Sequence, residues 1–72
     1  MSTSENYIQD QIDFLEIEVT CVSFRHKVVL ELLNRRDLLA LEPRLQKTLR
    51  DYSSMLVCHL ALLNSGIMAL EV

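Results

Sequence analysis

Hydrophobic residues in the first half of this chain form two rows rather than one. The inner row repeats at steps of four and three and has one polar member: Ile8, Ile12, Leu15, Val19, Val22, His26, Val29 and Leu33. The outer row repeats at steps of three and four: Phe14, Ile17, Cys21, Phe24 and Val28. Both spacings are typical of an α-helix, which turns about 100° per residue. A neighbouring helix can cover only one of these two apolar sides.

A matching row runs through the second half of the chain: Leu45, Leu49, Tyr52, Leu56, His59, Leu63, Gly66 and Leu70. Between the rows, the polar stretch 34–37 indicates a helix end, and Pro43 suits the first turn of a new helix. A single continuous helix is the alternative, but a proline in its interior would cost about 3 kcal/mol. We therefore predict a helix over about 4–34, a loop over about 35–42 and a helix over about 43–70.

The two rows mirror one another about Leu39, pairing Leu33 with Leu45, His26 with Tyr52 and Leu15 with Leu63. This symmetry predicts an all-α fold, an antiparallel two-helix hairpin that resembles a coiled coil and forms a single domain over 1–72. Its predicted core is Ile12, Leu15, Val19, Val22, Val29, Leu33, Leu45, Leu49, Tyr52, Leu56 and Leu63.

A chain of 72 residues, half of them hydrophobic, buries only about 60% of the surface that its unfolded form exposes. We therefore expect a partner chain or dimerisation to complete the fold. The predicted partner-binding residues are Phe14, Ile17, Cys21, Phe24, Val28, Val57, Leu60 and Ile67. They could pair with a second copy in a four-helix bundle or fill a groove on a larger protein. Leu38, Leu39 and Leu41 in the connection could either cap the core or extend this surface.

Charge weakens the case for nucleic acid, because phosphate binding needs a concentrated basic surface and the formal net charge is −3. Bases do gather near the connection: Arg35, Arg36, Arg44, Lys47 and Arg50. The alternative function is accordingly a homodimeric four-helix-bundle regulator that binds RNA or DNA through this basic region.

The sequence offers little for catalysis, cofactors or metals. The acidic residues of the first helix are spaced along exposed sides, and a two-helix hairpin has no cleft that excludes water, so no enzyme is predicted. Cys21 and Cys58 lack a metal-binding spacing and are expected to be reduced, buried thiols of a cytoplasmic protein. The stretch 52–70 has no formal charge, but Ser53, His59 and Asn64 favour a core helix over a membrane span. We expect no signal peptide, because the start of the chain has no basic region followed by an apolar one.

In size, in its acidic first helix, in Pro43 opening the second helix and in its nearly charge-free end, the chain resembles the helical-hairpin co-chaperones of bacterial type III secretion needle subunits. Type III secretion is a virulence-associated export system. The resemblance implies a helical-repeat chaperone as partner and, through it, a needle subunit kept soluble in the cytoplasm. It also implies contacts at Phe14, Ile17, Phe24 and Val28. The apolar connection departs from the family pattern.

Overall fold

The computed structural model describes residues 3–72 of the chain, with side chains from Glu5 onward. Helix α1 spans Thr3–Leu33, α2 spans Arg36–Leu41 and α3 spans Pro43–Glu71. The described residues are 94% helical and contain no strand. The two long helices pack side by side in a body of 59 × 14 × 12 Å. The prediction of an all-α antiparallel hairpin is confirmed.

The connection corrects one predicted boundary, because the loop expected over 35–42 contains α2. Leucine, alanine and arginine favour helix, and the Leu39 N–H donates to the Arg35 carbonyl at 3.2 Å. The chain leaves helical geometry at Arg35 and again at Glu42, where φ is −140° and ψ is 85°. Glu42 is extended because the ring of Pro43 disfavours helical geometry in the residue before it. Pro43 then opens α3, where its missing N–H costs no helical hydrogen bond.

The leucines of the connection have different environments. Leu39 packs against the core cluster and Leu38 is half-buried, whereas Leu41 is 83% exposed. The first two close the turn end of the hairpin. Leu41 alone extends into solvent.

The core is a single file of side chains between the two long helices. Val22 and Leu56 are 1% and 2% exposed, and Val29 and Leu49 complete the same cluster. Ile12 is buried separately, nearer the open end. The inner row of α1 supplies its side of this core as the spacing predicts, except that Ile8 at the open end is 39% exposed.

Helix α3 is turned about its axis relative to the predicted pairing. Ser53, Leu60 and Ile67 are half-buried, whereas Tyr52 is 36% exposed and His59 is also exposed. Leu60 packs against the core cluster. Leu60 and Ile67 therefore belong to the hairpin interior rather than to the outer surface predicted for them, and Tyr52 lies at the edge of the core. Leaving Leu60 and Ile67 in water would cost more free energy than leaving Tyr52 and His59 there, because a phenol or an imidazole can hydrogen-bond to water at the edge of the core.

The same rotation changes the partner of His26. Its Nε2 lies 3.1 Å from Ser53 Oγ, in a part-buried hydrogen bond across the two helices. The sequence pairing placed Tyr52 there instead. Because a buried imidazole without a partner would be costly, this bond allows a polar residue to remain in the inner row.

We predict that the core cluster, and not the turn, sets stability. Leu56→Ala should lower the free energy of unfolding by about 2–5 kcal/mol because it leaves a cavity. Leu41→Ala removes the same atoms from an exposed site and should cost less than about 0.5 kcal/mol. Urea denaturation at one fixed protein concentration measures both, and equal losses would contradict this account of the core.

The turn yields a second prediction. A hydrogen bond from Arg35, at 2.9 Å to Asp37 Oδ2, lowers the pKa of the Asp37 carboxyl to about 2. Because the charged form is favoured, the ion pair should persist as pH falls until it approaches that value. An NMR titration of the Asp37 carboxyl should show this low pKa in the native chain and in Arg36→Gln. In Arg35→Gln the pKa should rise toward its ordinary value, and an unchanged pKa there would refute the pairing.

Candidate protein-binding face

The outer row of α1 lies on the surface of the hairpin. Phe14 and Ile17 are each 61% exposed, Phe24 is 66% exposed, and Val28 is 36% exposed. Cys21 between them is also exposed. Since none of these side chains faces the core, α1 carries an apolar stripe along most of its length that no other part of the hairpin covers.

The grooves between the helices show that α3 continues this stripe. Near the open end, Tyr7 and Phe14 line a groove of about 600 Å³ together with Gly66 and Ala69 of α3. Near the turn, Phe24 and Val28 line a groove of about 300 Å³ with Tyr52. The outer row and the Tyr52 side of α3 therefore share one broad side of the hairpin.

Helical spacing places two further α3 residues on this side. Met55 and Leu62 follow Tyr52 at steps of three and seven and are 57% and 72% exposed. We call this surface the apolar face and define it by nine residues: Tyr7, Phe14, Ile17, Cys21, Phe24, Val28, Tyr52, Met55 and Leu62. Tyr7 was missed from the sequence, whereas Met55 and Leu62 were recognised as apolar α3 residues outside the inner row but were not assigned to this side. The signal that could have found the α3 pair is the run of threes and fours through positions 52, 55, 59, 62, 66 and 69.

The opposite side of α1 is mostly polar, although it also carries Leu30, which is 44% exposed. Glu16, Thr20, Ser23 and Lys27 follow one another along it, and the Thr20 hydroxyl donates to the Glu16 carbonyl at 3.1 Å. On α3, helical spacing places Val57 on this opposite side, where it is half-exposed. Val57 was predicted to join Phe14 and Phe24 in one partner surface, and the structure separates it from them.

Exposed area measures how incomplete the hairpin is. A compact monomer of this mass is expected to expose about 4,600 Å², whereas the chain exposes 5688 Å². The apolar face leaves on the order of 900 Å² of side-chain surface open, above the roughly 300–600 Å² of the largest patch on a typical monomer. The face holds much of the exposed apolar surface, but Leu30, Val57 and Met68 are exposed outside it.

Gly66 shapes the larger groove. A Cβ atom at this position would lie 3.4 Å from Leu15 Cδ1. Because Gly66 has no side chain, Leu15 forms the floor of the groove, and the space above it can accept an aliphatic side chain of a partner. The groove is thus shallow and apolar, with one charged residue, Asp10, on its lining.

The basic cluster near the turn is largely neutralised by neighbouring acids. Arg35 pairs with Asp37 at 2.9 Å, Arg44 with Glu42 at 3.2 Å, and Lys47 with Asp51 at 2.9 Å. Among the residues that the structure describes, Arg36 and Arg50 are the cluster members outside these pairs. Such exposed pairs add little stability, but they reduce the positive field that a phosphate backbone would require.

The side chains that could take part in catalysis or metal binding lie apart from one another on the hairpin. Cys21 and Cys58 are both exposed free thiols, so the prediction that they are buried is wrong. His26 is hydrogen-bonded to Ser53. Over the described part of the chain, no three His, Cys, Asp or Glu side chains converge as a metal site would require.

Helix α3 passes the length and hydropathy test for a membrane span. Its most apolar 18-residue window has a mean hydropathy of 1.6, and 6% of that window is buried in the hairpin. Core helices of folded proteins reach the same values, so the test by itself is weak. What it adds is that α3 keeps much apolar surface outside the core.

Comparison of the chain with protein-family models, with curated proteins and with solved structures gives no match. The geometry of the hairpin and its apolar face is therefore the basis on which a function is inferred.

Proposed function

We propose that this chain is a small non-enzymatic binding subunit whose apolar face covers helical surface on another protein. The observation that carries the proposal is the collection of large exposed side chains on one side of the hairpin, against a largely polar α1 on the other. The specific form that we propose is a cytoplasmic co-chaperone that, with a helical-repeat chaperone, keeps a type III secretion needle subunit soluble.

The shape of the face favours a helical partner. Two parallel ridges, formed by the side chains of α1 and α3, flank the grooves at the Gly66 and Tyr52 positions. Ridges of this kind accept the ridges of another helix at an axis separation of about 8–10 Å. A stack of helices in a repeat protein would offer such ridges along much of the 59 Å length of the hairpin.

The mechanism would be non-covalent burial. Covering about 900 Å² of apolar surface corresponds to a gross gain of about 20 kcal/mol. Most of that is offset by lost motion and by ordering of side chains at the interface. Phe14 and Phe24 would be the main anchors, because more than half of each side chain is exposed and buried aromatic residues contribute most of the binding free energy at such interfaces. Binding would stabilise both proteins until the complex is released.

The proposal predicts which side of the hairpin touches a partner in the cell. A photoreactive phenylalanine analogue, p-benzoylphenylalanine, at position 14 or 24 should cross-link to a larger protein that mass spectrometry identifies as a helical repeat. The same analogue at position 16 or 23, on the polar side of α1, should give little adduct. Phe24→Asp should abolish the cross-link from position 14 while circular dichroism shows an intact helical fold.

Two results would overturn the proposal. Equal adducts from both sides of α1 would show that the apolar face is not the contact surface. Adducts of only about twice 8.3 kDa would show that the chain meets itself and no other protein. If a helical-repeat protein is found, co-expression with the native chain should raise its soluble yield several-fold, and Phe24→Asp should not. A yield that is unchanged by the native chain would refute the co-chaperone role.

A further inference from the structure

We propose that, before it meets a partner, the chain pairs with a second copy of itself through the apolar face, with the two α1 helices antiparallel. The two hairpins would form a four-helix bundle in which each covers the other's open side. This inference does not depend on the proposed function, since it concerns the purified chain alone.

Area supports a second copy as the occupant. Stable complexes bury about 800 Å² on each side, and the apolar face offers on the order of 900 Å². A two-fold dimer uses the same patch on both copies, so one exposed surface is sufficient to close the assembly. The surplus of exposed area over a compact monomer of this mass is of the same size.

Charge selects the direction of the pairing. Asp10 lines the groove at the open end and Arg25 lines the groove near the turn, so each groove carries one charged residue, and the two are of opposite sign. Both side chains are exposed, and neither belongs to an ion pair among the described residues. When the two α1 helices are antiparallel, the open end of one copy, with Asp10, lies against the turn end of the other, with Arg25. When they are parallel, each of these charged side chains lies against the apolar side of α3 instead.

The spacing of the face sets the register. Its α1 members run from Tyr7 to Val28, so a two-fold axis at the middle of that stretch places residues opposite one another when their numbers sum to 35. Asp10 then faces Arg25 of the second copy, and by symmetry this pair occurs twice. Tyr7 faces Val28 of the second copy in the same register. In this register Phe14 also faces Cys21 of the second copy, whereas Ile17 and Phe24 lie opposite Glu18 and Gln11. The register therefore matches the charges and part of the apolar row.

Dimer formation and partner binding would compete, because both use the apolar face. The dimer would shield Phe14 and Phe24 until a partner with a larger complementary surface displaces the second copy. The free chain is then a concentration-dependent dimer, and its dissociation precedes the working complex.

The test is sedimentation equilibrium of the purified full chain and five variants, over a wide range of concentrations. The native chain should sediment as a dimer, about twice 8.3 kDa. Asp10→Arg and Arg25→Asp should each weaken the dimer by about tenfold or more, since each places like charges opposite one another twice. The double variant should recover to within about threefold of the native constant.

Matched controls make the same charge changes on the polar side of α1. Glu16→Arg and Lys27→Asp should leave the dimer constant within about threefold of the native value, and circular dichroism should show all variants equally helical. A chain that is monomeric at every concentration would overturn the proposal. Single variants that leave the dimer constant unchanged, or a double variant that does not restore it, would also overturn the proposal. A chain that stays in solution only when phosphatidylcholine vesicles are present would overturn it too, because that result would indicate insertion of α3 into a bilayer. A monomer that still cross-links to a larger protein would refute the dimer and leave the binding function standing.

Discussion

The constraint on which this structure depends is that two helices packed side by side can bury only one side of each. The hairpin is 59 Å long but 14 × 12 Å across, so its core is a file of single side chains such as Val22 and Leu56. Every further apolar residue must lie on a broad side. The chain does not spread these residues evenly, because α1 is polar through Glu16 and Thr20 on one side and aromatic through Phe14 and Phe24 on the other. Because of this uneven distribution, most of the apolar residues of α1 that the core cannot bury form a continuous surface on one side of the helix.

The sequence predicted α1 better than α3, for a physical reason. In α1 the inner and outer rows lie on nearly opposite sides of the helix, and only the inner row has a mirror partner in the second half of the chain, so one row was indicated for burial. In α3 two adjacent rows, one through Tyr52 and His59 and one through Ser53, Leu60 and Ile67, are both compatible with burial. Periodicity cannot choose between rows about 100° apart when both contain apolar members. The choice depends on the fit against α1, including the bond from His26 to Ser53, and that fit exists only in three dimensions.

The connection shows a related limit. The stretch over 35–42 was predicted as a loop because it is bounded by Asn34 and Pro43, and both boundaries do interrupt the helix. What lies between them was decided by local propensity and by one tertiary contact. Six residues are too few to form a stable helix alone, but Leu39 packs against the core cluster and so holds α2 in place. The partner surface was likewise half-predicted: the outer row of α1 is exposed, whereas Met55 and Leu62 became part of it only once the rotation of α3 was known.

An apolar face that pairs with a second copy and also covers another protein, as we propose, would have a consequence for affinity. The contacts with the partner would have to outweigh the free energy of the dimer, because each bound hairpin would first have to leave its dimer. That requirement favours partners that engage the grooves at Gly66 and Tyr52 together with the α1 stripe, and it disfavours those that touch only one anchor. An open apolar face would otherwise accept many helices with little discrimination, since burial is non-directional. The proposed self-pairing, aligned by Asp10 and Arg25, would therefore act as a threshold that weak partners do not pass.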